Sequence, residues 1–257
     1  MISDHPLRYA TVNELHARPF PVLAQGSRVS QLALLHDSHG GEAEYQHLHR
    51  LCERYAVLPP LPGASCHIQH FGSFELRWER HSEFSTYTFI HRIDGPEPFQ
   101  HTALSLLPPG WLAGIPGRTF AAIQLVMVEA GLDAPTAVLA QARQWLGDHT
   151  VVASLMGNNA HSLAVTDFWL RADGFERMLV VGRPGTSQTR AGRIAARLFE
   201  LETYRLMALR GLPVVKQLAP LLAHSEQRLA DITAQMENKS ASDQGLLDTL
   251  VSLAGGV

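Results

Sequence analysis

The clearest pattern along the chain is an alternation of apolar and polar residues over Ser73–Arg80. Phe74, Leu76 and Trp78 alternate there with charged residues, and a period of two is typical of a β-strand with one buried face. Phe84–Arg92 follows after a short turn and is rich in the aromatic and β-branched residues that strands favour. The two segments predict an antiparallel β-hairpin.

Short apolar runs elsewhere predict further strands, separated by glycine, proline and polar turns. They are Val29–Leu35, Thr119–Val128, Val151–Leu155, Ser162–Leu170 and Phe175–Val181. Two other segments have helical spacing, Glu42–Tyr55 and Ala134–Leu146. From alternation and residue type we predict a set of residues in the sheet core or its packed faces. They are Phe74, Leu76, Trp78, Phe89, Ile123, Leu125, Val165, Phe168, Leu179 and Val180.

After residue 182 the pattern becomes helical. Ser187 is the predicted N-cap of a helix that reaches Leu209. The next helix carries an apolar stripe at spacings of four and three, typical of a coiled-coil seam and interrupted by one serine. The heptad stripe is Leu218, Leu222, Leu229, Ile232 and Met236. We expect it to be buried against the Ser187–Leu209 helix or against another chain, because so much apolar surface is unfavourable in water.

These elements predict an α+β fold with a mixed, largely antiparallel sheet of about six to eight strands. Helices flank the sheet, and a C-terminal helical hairpin closes it. The change of character near residue 185 predicts an α+β head domain over 1–185 and a C-terminal helical region over 186–257.

Composition narrows the class of protein. Hydrophobic residues make up 46% of the 257 residues and charged residues 18%, so a large core can form. The net charge of −3 argues against a nucleic-acid partner. With two cysteines and no leader of basic and apolar residues at the N-terminus, we expect a reducing compartment and no secretory signal.

Histidine is unusually frequent, with 14 residues in the chain. A zinc site needs three or four ligands that converge. His47 and His49, however, lie two positions apart on a predicted helix and so point in different directions. The chain also contains no Cys-x-x-Cys and no His-Glu-x-x-His motif. We therefore predict no metal site and no cofactor, and we expect the histidines to lie at the surface.

A row of arginines follows the last predicted strand. Arg190, Arg193 and Arg197 share one face of the Ser187–Leu209 helix, and Arg183 precedes that helix. Guanidinium groups near a helix N-terminus can hold an anion such as phosphate. The alternative is a solvated face, or one paired with nearby acidic residues.

The turn of the predicted hairpin brings together His81, Ser82 and Glu83. A nucleophile and its base could come from such a set, but adjacency in sequence does not make a catalytic triad. The alternative is an ordinary turn in which Ser82 or Glu83 bonds the local backbone.

The first thirty residues are broken by prolines and predict an extended arm laid over a core. Glu14, His16 and Arg18 fall within five residues of this arm. They are candidates to line a cleft. The alternative is a structural arm whose charges pair with neighbouring groups.

Four blocks of sequence carry a resemblance to a known family. They are Asn13–Pro21 (NELHARPFP), His81–Phe89 (HSEFSTYTF), Thr166–Val181 (TDFWLRADGFERMLVV) and Arg190–Pro213 (RAGRIAARLFELETYRLMALRGLP). With all four in order, the chain resembles the bacterial family called predicted membrane-anchored proteins, a domain of unknown function numbered 3422. The resemblance implies a coiled-coil-like segment and an apolar anchor beyond residue 257. It implies no activity and no catalytic residues.

We therefore expect a non-enzymatic head domain, on the cytoplasmic side of the inner membrane, that assembles or binds a partner through its C-terminal helices. The open choices of partner are a second copy of the chain, in a homo-oligomer, and an unidentified protein. The membrane would be reached only through the segment beyond residue 257, and the fragment itself is expected to be soluble. The alternative is a hydrolase or an anion-binding protein that uses the arginine row with His81 and Glu83.

Overall fold

The structure is a computed structural model that describes residues 4–9, 12, 18–36, 41–92, 99–147, 149–237 and 242–254. The strands are β1 (Ser27–Leu35), β2 (Cys66–His70), β3 (Glu75–Arg80), β4 (Phe84–Arg92), β5 (Arg118–Glu129), β6 (Val152–Met156), β7 (Ser162–Thr166) and β8 (Glu176–Gly182). The helices are α1 (Gly41–Arg54), α2 (Pro135–Leu146), α3 (Gln188–Leu209), α4 (Leu212–Glu237) and α5 (Asp243–Ala254). Two short 3₁₀ helices, Ala103–Leu106 and Leu112–Gly114, lie between β4 and β5.

The eight strands form one sheet in the order β2-β3-β4-β1-β5-β8-β7-β6. Neighbouring strands are antiparallel except β5 and β8, which pair in parallel. The predicted α+β fold with a mixed, largely antiparallel sheet is therefore confirmed. The sequence did not predict β2, because its residues CHIQH show neither an apolar run nor a clean alternation.

Different helices cover the two faces of the sheet. On face A, side chains such as Val29, Ile123 and Val180 form a core with Ile194 and Phe199 of α3. The side chains between them along each strand point to face B, because successive strand residues alternate. Face B packs against α1 and the 3₁₀ helices at one end of the sheet and against α2 at the other. The alternation of residues along each strand in the sequence reflects this division of side chains between face A and face B.

Nine of the ten predicted core residues are buried, and Phe168 is the exception. Phe168 is 44% exposed, because β7 ends at Thr166 and the chain turns before Leu170. The Thr166 hydroxyl accepts the Phe168 N–H at 3.2 Å, and the Asp167 carboxylate accepts the Trp169 N–H at 3.2 Å. Such bonds from a side chain to the following backbone compete with strand pairing, so the prediction of a strand through Leu170 is wrong.

The chain separates into two compact units, Met1–Tyr204 and Arg205–Val257, whereas the change in composition suggested a boundary at residue 186. The first unit extends further because the first half of α3 belongs to the core on face A. Ser187 is the N-cap of α3, as predicted, and its hydroxyl accepts the Arg190 N–H at 3.3 Å. In the second unit α4 and α5 contact each other and form the helical pair at the C-terminus.

The heptad stripe on α4 is largely exposed. Its members Leu218, Leu222, Leu229 and Met236 are 47–61% exposed, and Ile232 is buried. The expectation that the stripe is buried within the chain is therefore wrong. Its burial against another chain stays a prediction. By length and composition alone, the helical span Gln188–Met236 contains a window of 18 residues that is apolar enough to cross a membrane.

Candidate functional site

A cavity of about 450 Å³ lies between face A of the sheet and the middle of α3. Strands β1, β3 and β4 form its floor, residues 195–204 of α3 form a wall, and residues 18–23 cover it. We call residues 18–26 the arm and this space the α3 cavity. Cavities of this size commonly hold small molecules.

The floor of the α3 cavity is polar, although face A is apolar where α3 packs directly on it. Arg77, Thr88 and Gln31 are neighbours across β3, β4 and β1, and Thr86 lies in the next row. The Gln31 side chain donates to the Thr88 hydroxyl at 3.1 Å and accepts from the Thr203 hydroxyl of α3 at 3.4 Å. Among the described residues, the Thr86 hydroxyl has no hydrogen-bond partner, so a ligand could use it.

The arm is tied to both the sheet and the helix. Arg77, which is 6% exposed, donates a hydrogen bond to the Pro19 carbonyl. The Leu23 N–H donates to the Gln188 carbonyl at 3.1 Å, and the Leu23 side chain is buried in the core on face A. These bonds fix the cover of the α3 cavity.

The arm also meets α3 at a position without a side chain. A Cβ atom placed on Gly192 would lie 1.6 Å from the Pro21 carbonyl oxygen and 2.7 Å from its carbonyl carbon. Only glycine allows the two backbones to approach this closely. Gly192 therefore sets the distance between the cover of the cavity and its helical wall.

At the rim of the cavity Arg18 joins the arm to the β3–β4 turn. Its guanidinium donates to His81 Nδ1 at 3.0 Å and to the Arg80 carbonyl at 2.8 Å. The His81 ring stacks on Phe84, with centroids 4.5 Å apart. Burial, followed by the charges of Arg18 and His36, lowers the pKa of His81 to about 4. At neutral pH this imidazole is therefore uncharged and able to accept the bond from Arg18.

A buried carboxylate lies behind the rim on face B. Glu44 of α1 is completely buried and accepts hydrogen bonds from Arg80 at 2.7 Å, Trp78 at 3.0 Å and Ser85 at 2.7 Å. Burial and then the Glu44 charge raise the pKa of the neighbouring Tyr87. Three donors offset the cost of burying the carboxylate.

This carboxylate is linked to the rim through Arg80 and His36. The Arg80 guanidinium lies 3.4 Å from His36 Nδ1, and His36 Nε2 lies 3.1 Å from the His81 carbonyl oxygen. Glu44 thus binds the side chain of Arg80, and the backbone carbonyl of Arg80 accepts a hydrogen bond from Arg18. The network fixes the backbone that carries the rim of the α3 cavity.

The charges that line the α3 cavity balance. Arg18 and Arg77 contribute two positive charges, Glu79 and Glu200 two negative charges, and His81 is uncharged at neutral pH. The other polar lining groups are hydroxyls and one amide, from Thr86, Thr88, Thr203, Tyr204 and Gln31. The apolar lining comes from Phe20, Leu23, Val29, Phe84 and Phe199, among others.

Of the three residues singled out in the hairpin turn, His81 alone lines the cavity. Ser82 and Glu83 are exposed in the turn. The turn itself is closed by the His81 N–H, which donates to the Phe84 carbonyl at 2.8 Å, as in an ordinary hairpin turn. The Glu83 carbonyl accepts the His36 N–H at 3.4 Å, which continues the pairing of β1 with β4. Among the described residues no serine or cysteine lines the cavity, so the geometry places no such nucleophile beside His81.

The arginine row is divided by the structure. Arg183 pairs with Asp133 at 2.9 Å and donates to the Ala160 carbonyl at 3.0 Å. Arg190, Arg193 and Arg197 are exposed on α3 and form no hydrogen bond or ion pair through their side chains within the described part of the chain. Their face therefore matches the solvated alternative in geometry, and an anion site there stays a prediction.

Of the three candidate residues near the N-terminus, Arg18 lies at the rim of the α3 cavity. Glu14 and His16 lie outside the described residues. The sequence missed the polar floor, because Arg77 and Glu79 alternate with apolar residues and therefore looked solvent-facing. A recognisable signal was present in β4, where threonines alternate with aromatic residues on a strand too apolar to lie at the surface.

The histidines are not all at the surface. His47 is 5% exposed, its ring lies 4.4 Å from that of Trp111, and burial together with the Arg50 charge lowers its pKa to about 4. The expectation of surface histidines is wrong here, because α1 turns His47 toward the core on face B. Among the described residues no group of three or more His, Cys, Asp or Glu side chains could hold a metal ion.

Comparison with known proteins identifies a family. The family described as protein of unknown function (DUF3422) matches residues 3–257, and the chain belongs to it. No curated protein and no solved structure matches the chain.

Proposed function

We propose that this member of a family of unknown function is a binding module whose ligand occupies the α3 cavity. The observation that carries the proposal is the covered polar floor on an otherwise apolar sheet face. Burying polar groups such as Arg77 and Thr88 is unfavourable unless they are hydrogen-bonded. A fold that needed only stability could have continued the apolar core there.

The lining favours an uncharged or zwitterionic ligand that carries hydroxyl groups. Two glutamates line the cavity with the two arginines, and Arg77 is also paired with Glu75 at 3.3 Å. The cavity therefore offers no excess positive charge to attract a simple anion. The hydroxyls and the amide can both donate and accept hydrogen bonds. Phe20, Phe84 and Phe199 supply apolar surface for the carbon skeleton of the ligand.

Binding is a better supported function for this cavity than hydrolysis. A hydrolase of the nucleophilic type needs a hydroxyl or thiol within hydrogen-bond reach of its base. His81 Nδ1 instead accepts a hydrogen bond from Arg18, and its neighbour Ser82 is exposed in the turn.

A fragment screen followed by nuclear magnetic resonance tests the proposal. Uncharged, zwitterionic, anionic and cationic fragments are titrated into the ¹⁵N-labelled chain, and the amide signals of Thr86, Thr88 and Phe199 are followed. We expect saturable shifts from fragments of the first two classes. The variant Ala196→Leu fills the cavity and should lose these shifts, whereas Thr189→Leu, on the exposed first turn of α3, should keep them. Absence of binding at these amides, or equal binding by Ala196→Leu, would contradict the proposal.

We also propose that the heptad stripe of α4 binds a partner helix. The support is its exposure together with its spacing of four and three, which suits packing between helices. A position at the cytoplasmic face of a membrane belongs to the same proposal. It is supported by the resemblance of the sequence blocks and by an apolar window of 18 residues within the span Gln188–Met236.

A further inference from the structure

The outer edge of β6 is the least protected part of the sheet. β6 is the last strand in the sheet order, and all five of its residues pair with β7 on one side only. Val152, Ala153, Ser154 and Leu155 are exposed, although successive residues point to opposite faces. Neither face of this strand is therefore covered within the described part of the chain.

The sequence around this edge lacks the features that keep strand edges apart. Residues 149–166, which include β6, its turn and β7, contain no Asp, Glu, Lys or Arg, although such residues make up 18% of the chain. Proline is also absent from this stretch. Monomeric proteins usually place charges, proline or a bulge on an exposed edge strand, because its free backbone groups would otherwise pair with another strand.

An exposed apolar loop lies beside the same edge. The loop continues from Thr166, which is paired with Val152 of β6. It presents Phe168, Trp169 and Leu170 at 44–64% exposure. Trp169 stacks on His149 with centroids 4.3 Å apart.

An ion pair and a hydrogen bond to a backbone carbonyl fix this loop. Arg171 pairs with Asp167 and donates to the Leu146 carbonyl at the end of α2. The loop therefore presents its apolar side chains from a preorganised backbone, which lowers the entropic cost of binding.

We propose that β6 is a dimerisation edge on which a second copy of this chain adds its own β6 in antiparallel orientation. The register that pairs all five residues has Ser154 at the twofold axis. It places Val152 opposite Met156, and Ala153 opposite Leu155, of the other copy. A twofold axis requires a self-complementary surface, and this strand meets that requirement because it pairs only uncharged residues.

The available surface suits a dimer of modest size. Phe168 and Trp169 each leave roughly 100 Å² exposed, since an aromatic side chain buries about 150–250 Å² in all. Together with Val152, Leu155, Leu170 and the strand backbone, two copies approach the roughly 1,200 Å² at the lower end of specific interfaces. A second copy is favoured over a charged peptide because the edge and its turn carry no charge to recognise one.

Sedimentation of the 257-residue chain tests the proposed edge. We expect the parent to sediment as a dimer, and Ser154→Lys, which brings two like charges together at the axis, to show a twofold loss of mass, to the 28.3 kDa of one chain. The matched control Leu61→Lys changes a leucine that is 77% exposed outside the elements of the sheet and should remain a dimer. The double variant Leu222→Asp with Leu229→Asp, on α4, should also remain a dimer.

Disulfide trapping tests the register independently of how Ser154→Lys folds. Directly opposed Cα atoms in an antiparallel pair lie about 4.5–5.5 Å apart, within the range that a disulfide spans. Ser154→Cys should therefore form an intermolecular disulfide on mild oxidation. Val152→Cys alone should not, but the double variant Val152→Cys with Met156→Cys should. The parent chain has two free cysteines, so the amount of disulfide-linked dimer that it forms under the same oxidation is the background level.

Three results would overturn the proposal. The first is a parent that is monomeric at every concentration tested. The second is a dimer that survives Ser154→Lys but is lost when the α4 stripe is changed, since assembly would then run through the helices. The third is a dimer in which Ser154→Cys forms no disulfide above the parent background.

Discussion

Replacing Gly192 by alanine should displace the arm from α3 and destabilise the first unit. The added Cβ would lie 1.6 Å from the Pro21 carbonyl oxygen, whereas ordinary contacts begin near 3.4 Å, so the two backbones must separate by about 1.8 Å. A carbonyl oxygen cannot rotate away as a flexible side chain can. The movement therefore falls on the arm itself.

The cost follows from what holds the arm. Leu23 is 1% exposed and its N–H bonds to the Gln188 carbonyl, and both contacts lie two residues from Pro21. Loss of that burial costs roughly 1.5–3 kcal/mol, loss of the hydrogen bond about 1 kcal/mol, and the better helix propensity of alanine returns about 1 kcal/mol. We expect Gly192→Ala to lower the free energy of unfolding by about 1.5–3 kcal/mol.

Urea unfolding followed by circular dichroism measures this change, and limited proteolysis reports release of the arm. Gly131→Ala is the matched control, because a Cβ there meets no atom within 4 Å and the backbone is not left-handed. The control should change stability by no more than about 0.5 kcal/mol. If Gly192→Ala proves as stable and as resistant to protease as the control, the arm and α3 do not approach each other this closely.

Three further changes test other parts of the first unit and of α4. Glu44→Ala removes the buried partner of the partly buried Arg80 and should cost about 3–5 kcal/mol in urea unfolding at pH 7. A cost below 1 kcal/mol would be inconsistent with the network. The pKa of His81 is lowered from 6.5 to about 4, so its stability contribution is complete above pH 6.5 and is lost as the pH falls toward 4. His81→Gln should therefore remove roughly 3 kcal/mol of acid destabilisation in melts between pH 7 and 4, and an unchanged pH profile would refute this. The double variant Leu222→Asp with Leu229→Asp should leave the melting temperature unchanged, since both side chains are exposed, while abolishing capture of any helical partner. A fall in melting temperature would show that the stripe is buried within the chain.

The sequence predicted most strands because alternation records which face of a strand is buried. β3 and β4 lie within two residues of their predicted bounds, and α3 begins one residue after its predicted cap. The order of strands could not be predicted in this way, because pairing such as that of β1 with β5 joins segments far apart in the chain. Strand β2 was not predicted because four of its five residues are only partly buried, so the strand has no clearly apolar face.

The candidate site could be predicted only in pieces. The sequence pattern makes Arg18 and His81 separate candidates, but they are 63 positions apart, and nothing in either segment indicates that they meet. Arg77 follows the alternation of a solvent-facing residue and is nevertheless buried, because the arm crosses the strand above it. A local pattern reports the side of the sheet on which a residue lies, not what covers that side.

The late position of α3 in the chain has a consequence for folding. Face A is built from strands that are synthesised early, yet α3, which covers it, is the last element of the first unit. The parallel pairing of β5 with β8 must also wait for the intervening crossover, and such non-local pairings form slowly. In the growing polypeptide the apolar side chains of Val29, Ile123 and Leu125 therefore remain in water until α3 has left the ribosome. At that stage the nascent chain is most exposed to aggregation and most in need of a chaperone.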